Sequence, residues 1–172
     1  MGTRMRVAVV RALPIVAVVI VAGSGIVPAD AKSSPAFSSV SAAASDQHDV
    51  GVSFTETGLP PAQIVTEGLR GKATDTYACY TLDGQRAGSS AFIEHPSNQQ
   101  QYQASSEGTI DSASLAISVQ PLDVCPHSQI SYLFQTIFSH LRLTDLTNHV
   151  SVDVPGSFTS CSPPDCQPPV HL

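Results

Sequence analysis

The chain has 172 residues, of which 42% are apolar and 13% charged, with a formal charge of −6. That length suits one domain rather than two, and the composition excludes a charge-rich disordered chain. The acidic excess excludes the basic surface a nucleic-acid binder needs. No stretch beyond the N-terminus is apolar for even ten residues, so a bundle of membrane-spanning helices is excluded as well.

Residues 1–31 read as a secretory signal peptide. Arg4, Arg6 and Arg11 supply the positive charge, and Ala12 to Ala22 form an uncharged apolar run. Gly23, Ser24, Gly25 and Pro28 then break the helix, and Ala29-Asp30-Ala31 places small residues for cleavage after Ala31. The apolar run is shorter than the about 20 residues that span a bilayer. No Cys follows it and no apolar C-terminal tail is present, so neither a lipid anchor nor a second membrane anchor is expected. Cleavage leaves Lys32, Arg70, Lys72, Arg86 and Arg142 against thirteen acids, a net charge of −8 that favours solubility and repels anionic polymers. The expected location is extracellular, with no membrane attachment after cleavage and no nucleic-acid partner.

Residues 32–48 are Ser- and Ala-rich with one large apolar side chain, Phe37, and are expected to be a flexible leader. The domain is expected over 49–159. Val50, Val52 and Phe54 alternate with small or polar residues as in a half-buried strand, which Gly58-Leu59-Pro60-Pro61 stops. Thr74 to Leu82 is rich in Thr and Tyr and runs into Asp83-Gly84, a hairpin-turn signal. Ser90 to Glu94 and the polar Gln100 to Ser105 are short strand candidates, the second at an edge. Ala113, Leu115, Ile117 and Val119 alternate with small or polar neighbours in the clearest strand pattern of the chain. Residues 130–141 fit both a strand and a helix. Their Thr, Tyr and Ile content and alternating neighbours favour a strand, with a change of phase near Ser139 that suggests a bulge before Leu141 and Leu143. Thr147-Asn148 reads as a turn, Val150, Val152 and Val154 as the last strand, and Pro155-Gly156 as its end. Residues 160–172 carry four prolines and read as an extended tail. Seven or eight short strands separated by turns predict an all-β fold, an antiparallel immunoglobulin-like β-sandwich.

Four cysteines, Cys79, Cys125, Cys161 and Cys166, allow three pairings, and an exported chain should oxidise them. The run Leu141-Arg142-Leu143-Thr144-Asp145-Leu146-Thr147-Asn148, followed by Val150-Ser151-Val152 and Pro155-Gly156, resembles the C-terminal hairpin of small secreted actinobacterial β-sandwich proteins of unassigned function. Val52-Ser53-Phe54, Tyr77-Ala78-Cys79 and Cys125-Pro126 are similar too and in the same order, so the resemblance spans about 50–158. Tyr80-Thr81-Leu82-Asp83-Gly84 departs from it, standing where such proteins are rich in Gly and Asn. The resemblance implies an exported sandwich with a Cys79–Cys125 bridge and no activity. Cys161 and Cys166 are then left to close the Ser162–Asp165 segment.

No motif for chemistry stands out. There is no G-x-S-x-G, H-E-x-x-H, G-x-G-x-x-G or P-loop, and no N-x-S/T acceptor site. Cys161, Cys166 and His171 lack a fourth zinc ligand. His140 and His149 are placed to face each other across the last hairpin, with solvated strand histidines as the plainer reading. Glu56, Glu67, Glu94 and Glu107 are expected at exposed turn or edge positions, and Asp145 is expected to accept backbone hydrogen bonds in the turn before Asn148. Tyr77, Tyr80, Tyr102 and Tyr132 share no one face, although Tyr77 and Cys79 do, which places one tyrosine in the core. No catalytic, metal or cofactor residue is therefore assigned. The reading is a non-catalytic binding or structural module of the extracellular space or cell envelope, with an unidentified partner there. The alternatives are a small secreted hydrolase, or an enzyme inhibitor presenting Gly58-Leu59-Pro60-Pro61 or Pro121-Leu122-Asp123-Val124.

Overall fold

A computed structural model describes residues 33–162 and 166–172. The expected signal peptide, residues 1–31, lies outside them. Eight strands follow in order: β1 (Ala36–Ala44), β2 (Asp49–Thr57), β3 (Ile64–Thr81), β4 (Arg86–Glu94), β5 (Ser97–Gln103), β6 (Ile110–Ser118), β7 (Gln129–Asp145) and β8 (Val150–Cys161). There is no helix among the described residues, so 130–141 is strand as expected.

The strands form two antiparallel sheets, one ordered β1-β2-β6 and the other β4-β3-β7-β8, with β5 also pairing β3. β3 is long enough to carry two partners on one edge. Its first half pairs β5 from Ile64 to Arg70, and its second half pairs β4 from Ala73 to Tyr80. Between them Gly71 makes room for a side chain of the neighbouring β7 and one of the facing sheet, for a Cβ there would lie 2.5 Å from Leu141 Cδ2 and 3.3 Å from Ile117 Cδ1. The sheets close on a shared core of Val50, Val52, Phe54, Leu115 and Ile117 from one side and Leu69, Tyr77, Phe138, Leu141 and Leu143 from the other. Burial of such side chains contributes about 1.5–3 kcal/mol each. Tyr102 Oη and Asn98 Nδ2 on β5 donate to Ser114 O and Ala116 O at 2.5 and 2.8 Å, satisfying carbonyls on the open edge of β6.

β7 keeps its apolar face inward through two breaks in register. Leu133 and Thr136 face the core with Phe134 turned outward between them, and the second break falls at His140, where a bulge was expected.

The structure departs from the sequence reading at both ends of the domain. The Ser/Ala-rich stretch expected to be a flexible leader supplies β1, because eight register pairs with β2 satisfy its backbone and Phe37, Val40 and Ala42 pack on the core. The last strand runs through Gly156, whose φ of 108° accommodates the bend, and ends at Cys161. The end of the Pro-rich tail lies back on the second sheet. Tyr80 Oη donates to Pro169 O, Leu172 N donates to Gly84 O at 3.2 Å, and His171 bridges to Gln85. Cys79–Cys125 and Cys161–Cys166 are the two disulfides, with Cα–Cα separations of 5.7 and 4.9 Å.

Candidate functional site

Strand parity carries three acids into the core. The inward set on β2 is Val50, Val52, Phe54 and then Glu56; on β3 Glu67 falls between Val65 and Leu69; on β7 Asp145 follows Leu141 and Leu143. All three acids are fully buried. Glu67 and Asp145 are cross-strand partners, and Glu56 reaches them from the facing sheet. One carboxylate oxygen from each lies within 4.8 Å of the other two.

The three are not equally provided for. Asp145 Oδ1 accepts N–H bonds from Thr147 and Asn148 at 2.7 and 2.8 Å, and its Oδ2 accepts Asn148 Nδ2 at 2.6 Å. This is the turn-making role expected for it. No group outside the three acids donates a hydrogen bond to either oxygen of Glu56 or of Glu67. Among the described residues the ion pair found is Arg142–Asp153, on the surface, so no basic side chain offsets the cluster. Burial pushes the Glu56 carboxyl up to about 9, and the neighbouring Glu67 and Asp145 add to the rise. Burial likewise raises Glu67 to about 7; Glu56 hydrogen-bonds it and opposes the rise, while the charge of Asp145 adds to it. Three adjacent carboxylates in a dry core must take up protons or hold a cation.

A second buried polar chain lies further along β3. Thr136 Oγ1 donates to Asp75 Oδ1 at 2.7 Å and meets His48 Nδ1 at 3.1 Å, while Ser160 Oγ accepts the His48 backbone N–H at 2.8 Å. Burial lowers the His48 pKa, with the charges of Asp75 and Asp49 opposing. The order of groups is wrong for a hydrolase, because the hydroxyl sits between acid and base, and Thr136 is fully buried.

The outer face of the second sheet is different in kind. Arg70 and Arg142 are cross-strand partners, and Asp153 follows in the same row. With Ser139, His140, Pro155, Gly156 and Ser157, they line an open concavity of about 600 Å³. Lys72 is on the same face, paired in register with Ser139. Arg142 donates to Asp153 and Ser151, and neither Arg70 nor Lys72 has an ion pair among the described residues.

The other sequence candidates are dispersed. Cys161 and Cys166 are bonded to each other and so are not metal ligands. His140 lies in the β7 bulge and His149 in the turn beyond the Asp145–Val150 pair, separated by about five strand residues, or roughly 17 Å. Glu107 is exposed in a turn, as expected, but Glu56 and Glu67 are not. Their burial was legible in principle, because the alternation Val50, Val52, Phe54 points the next inward position at Glu56. Tyr77 is the core tyrosine, accepting the Leu122 N–H at 3.1 Å, while Tyr80 and Tyr132 meet edge to face on the outer side. Comparison of the chain with protein-family models, curated proteins and solved structures finds no match in any of the three.

Proposed function

We propose that the chain is an exported, non-catalytic binding module with an immunoglobulin-like sandwich, and that its contact surface is the concavity around Arg70 and Arg142. The observation that carries this reading is the placement of charge. In an acidic chain, Arg70, Lys72 and Arg142 gather on one open face, while the groups suited to acid–base chemistry are sealed between the sheets. Two arginines side by side suit a carboxylate or phosphate group, which they grip through paired N–H bonds. Overall charge of the opposite sense disfavours a long anionic polymer, so the fit is to a single acidic group on an envelope or extracellular ligand.

The strand order supports the immunoglobulin-like assignment. Three strands, β1-β2-β6, face a sheet in which β3, β7 and β8 adjoin and the fourth strand joins the second sheet beside β3. The disulfides differ from the antibody pattern, since Cys79–Cys125 links β3 to the loop before β7 and does not join the sheets. Two disulfides accord with an oxidising compartment.

The test is a pull-down from producer-cell envelope and culture fluid with the mature chain and with an Arg70→Ser/Arg142→Ser variant. Capture by the first and not the second supports the reading. Equal capture overturns the surface, and turnover of ester, glycoside or peptide reporters by the purified chain overturns the non-catalytic assignment.

A further inference from the structure

We propose that Glu56, Glu67 and Asp145 form an internal site for one calcium ion, which ties the two sheets together at the end of the sandwich where β7 turns into β8. The site is independent of the surface concavity.

Two observations converge. The first is the geometry: one oxygen from each acid lies within 4.8 Å of the others. Oxygens around a single Ca²⁺, each at 2.3–2.6 Å from it, are separated by at most about 5 Å. The second is the state of the side chains. Glu56 and Glu67 are fully buried and aimed at this point, yet no group outside the cluster donates to either. Buried acids that serve only structure are surrounded by N–H and O–H groups, as Asp145 is. Gln63, which donates through Nε2 to Asn148 at 3.4 Å, holds a further buried oxygen without a donor, Oε1.

The donor set selects the ion. Carboxylate oxygens alone favour a hard cation over zinc or copper, which prefer nitrogen and sulfur. Magnesium demands near-ideal octahedral geometry and keeps several waters, which a site sealed between two sheets does not provide. Calcium accepts carboxylates in one- or two-oxygen modes and in irregular arrangements. Both oxygens of Glu56, both of Glu67 and Asp145 Oδ2 are the atoms offered. Asp145 Oδ1 is already committed to two backbone N–H groups.

The experiment uses the oxidised mature chain, freed of metal with chelator, at pH 7.5. Calorimetric titration with calcium chloride should show one ion per chain. Saturating calcium should raise the melting temperature by about 5–10 °C, with magnesium at least tenfold weaker. A Glu56→Gln/Glu67→Gln variant should lose calcium affinity at least 100-fold. The wild-type chain also reports the location without mutation. The Thr147 and Asn148 amides, which donate to Asp145, should shift in the nuclear magnetic resonance spectrum in step with calcium uptake. No uptake up to millimolar calcium overturns the proposal. So does uptake that leaves those two amides unmoved, or that persists undiminished in the double variant.

Discussion

On β3 two buried acids lie about 26 Å apart, each beside another carboxyl, Glu94 at Asp75 and Glu56 at Glu67, and they differ in what else reaches them. At Asp75 a hydroxyl stands between carboxylate and imidazole, so acid, alcohol and base form a continuous chain. At Glu67 carboxyl groups meet with no hydroxyl, amide or basic group to separate Glu56 from Glu67. The same inward parity buries both. The difference teaches that burying a polar group is decided by strand register, whereas the cost of burying it is decided by what the facing strand contributes. β7 offers Thr136 opposite Asp75 and Asp145 opposite Glu67.

The largest effect should come from the bridge beside the Asp75 end. Closing a 46-residue separation stabilises by about 4 kcal/mol in the chain-entropy model. Cys79→Ser should therefore lower the melting temperature strongly, and Cys161→Ser much less. Hydrogen exchange should then quicken over residues 75–80 and 129–136 more than over 64–70, since the first half of β3 is held independently by β5 and by the β7–β8 turn. Uniform quickening would mean the two ends are not separable.

Next in size is Thr136→Val, which leaves Asp75 Oδ1 and His48 Nδ1 without their shared partner in a buried place. Urea unfolding should show a loss of about 3 kcal/mol. No residue plays that part at Glu67, so removing charge there should act in the opposite sense. Without added cation, Glu56→Gln should be neutral below pH 4.5 and increasingly stabilising as pH rises from there to about 9.

The pH dependence separates the ends further. Glu56 and Glu67 have folded pKa values raised to about 9 and about 7 from 4.5, so the folded chain binds more protons than the unfolded one. Their contribution is fully present below 4.5 and is lost as pH rises through 7 to 9, at up to about 1.4 kcal/mol per pH unit for each proton. His48 works the other way. Its folded pKa is lowered from 6.5, so its contribution is present above that value and is lost as pH falls below it. Melting in chelator should therefore pass through a maximum below neutrality. The smallest effect should be Asn148→Ala, which removes one donor from Asp145 Oδ2 and costs about 1.5 kcal/mol in the same unfolding assay.

Much of the fold was legible because its strands alternate. β2, β6 and β8 show the period of two, Asp83-Gly84 marks the β3–β4 turn with Gly84 at a φ of 81°, and Thr147-Asn148 marks the last hairpin. The disulfides were legible as an expectation carried by resemblance. Two stretches were not. The first half of β3 mixes Glu67, Gly68, Arg70, Gly71 and Lys72, so its period is hidden by charge on both faces. β1 has small side chains throughout, and what makes it a strand is the neighbouring β2, a contact that no local pattern contains. The acid cluster was half legible. Parity alone places Glu56 and Asp145 inward, but their meeting with Glu67 depends on which strands are neighbours and which sheet faces which.

The measurement closest to the difference between the two ends is the infrared spectrum of residues 32–172 at neutral pH, recorded in chelator and again with calcium. A Glu56 carboxyl that holds its proton to about 9 predicts the carbonyl stretch of a buried protonated acid in chelator, diminished in Glu56→Gln to what Glu67, at about 7, contributes. Calcium should abolish that band and release protons to the buffer. A spectrum with no protonated carboxyl at neutral pH, or a band that calcium leaves unchanged, would contradict it.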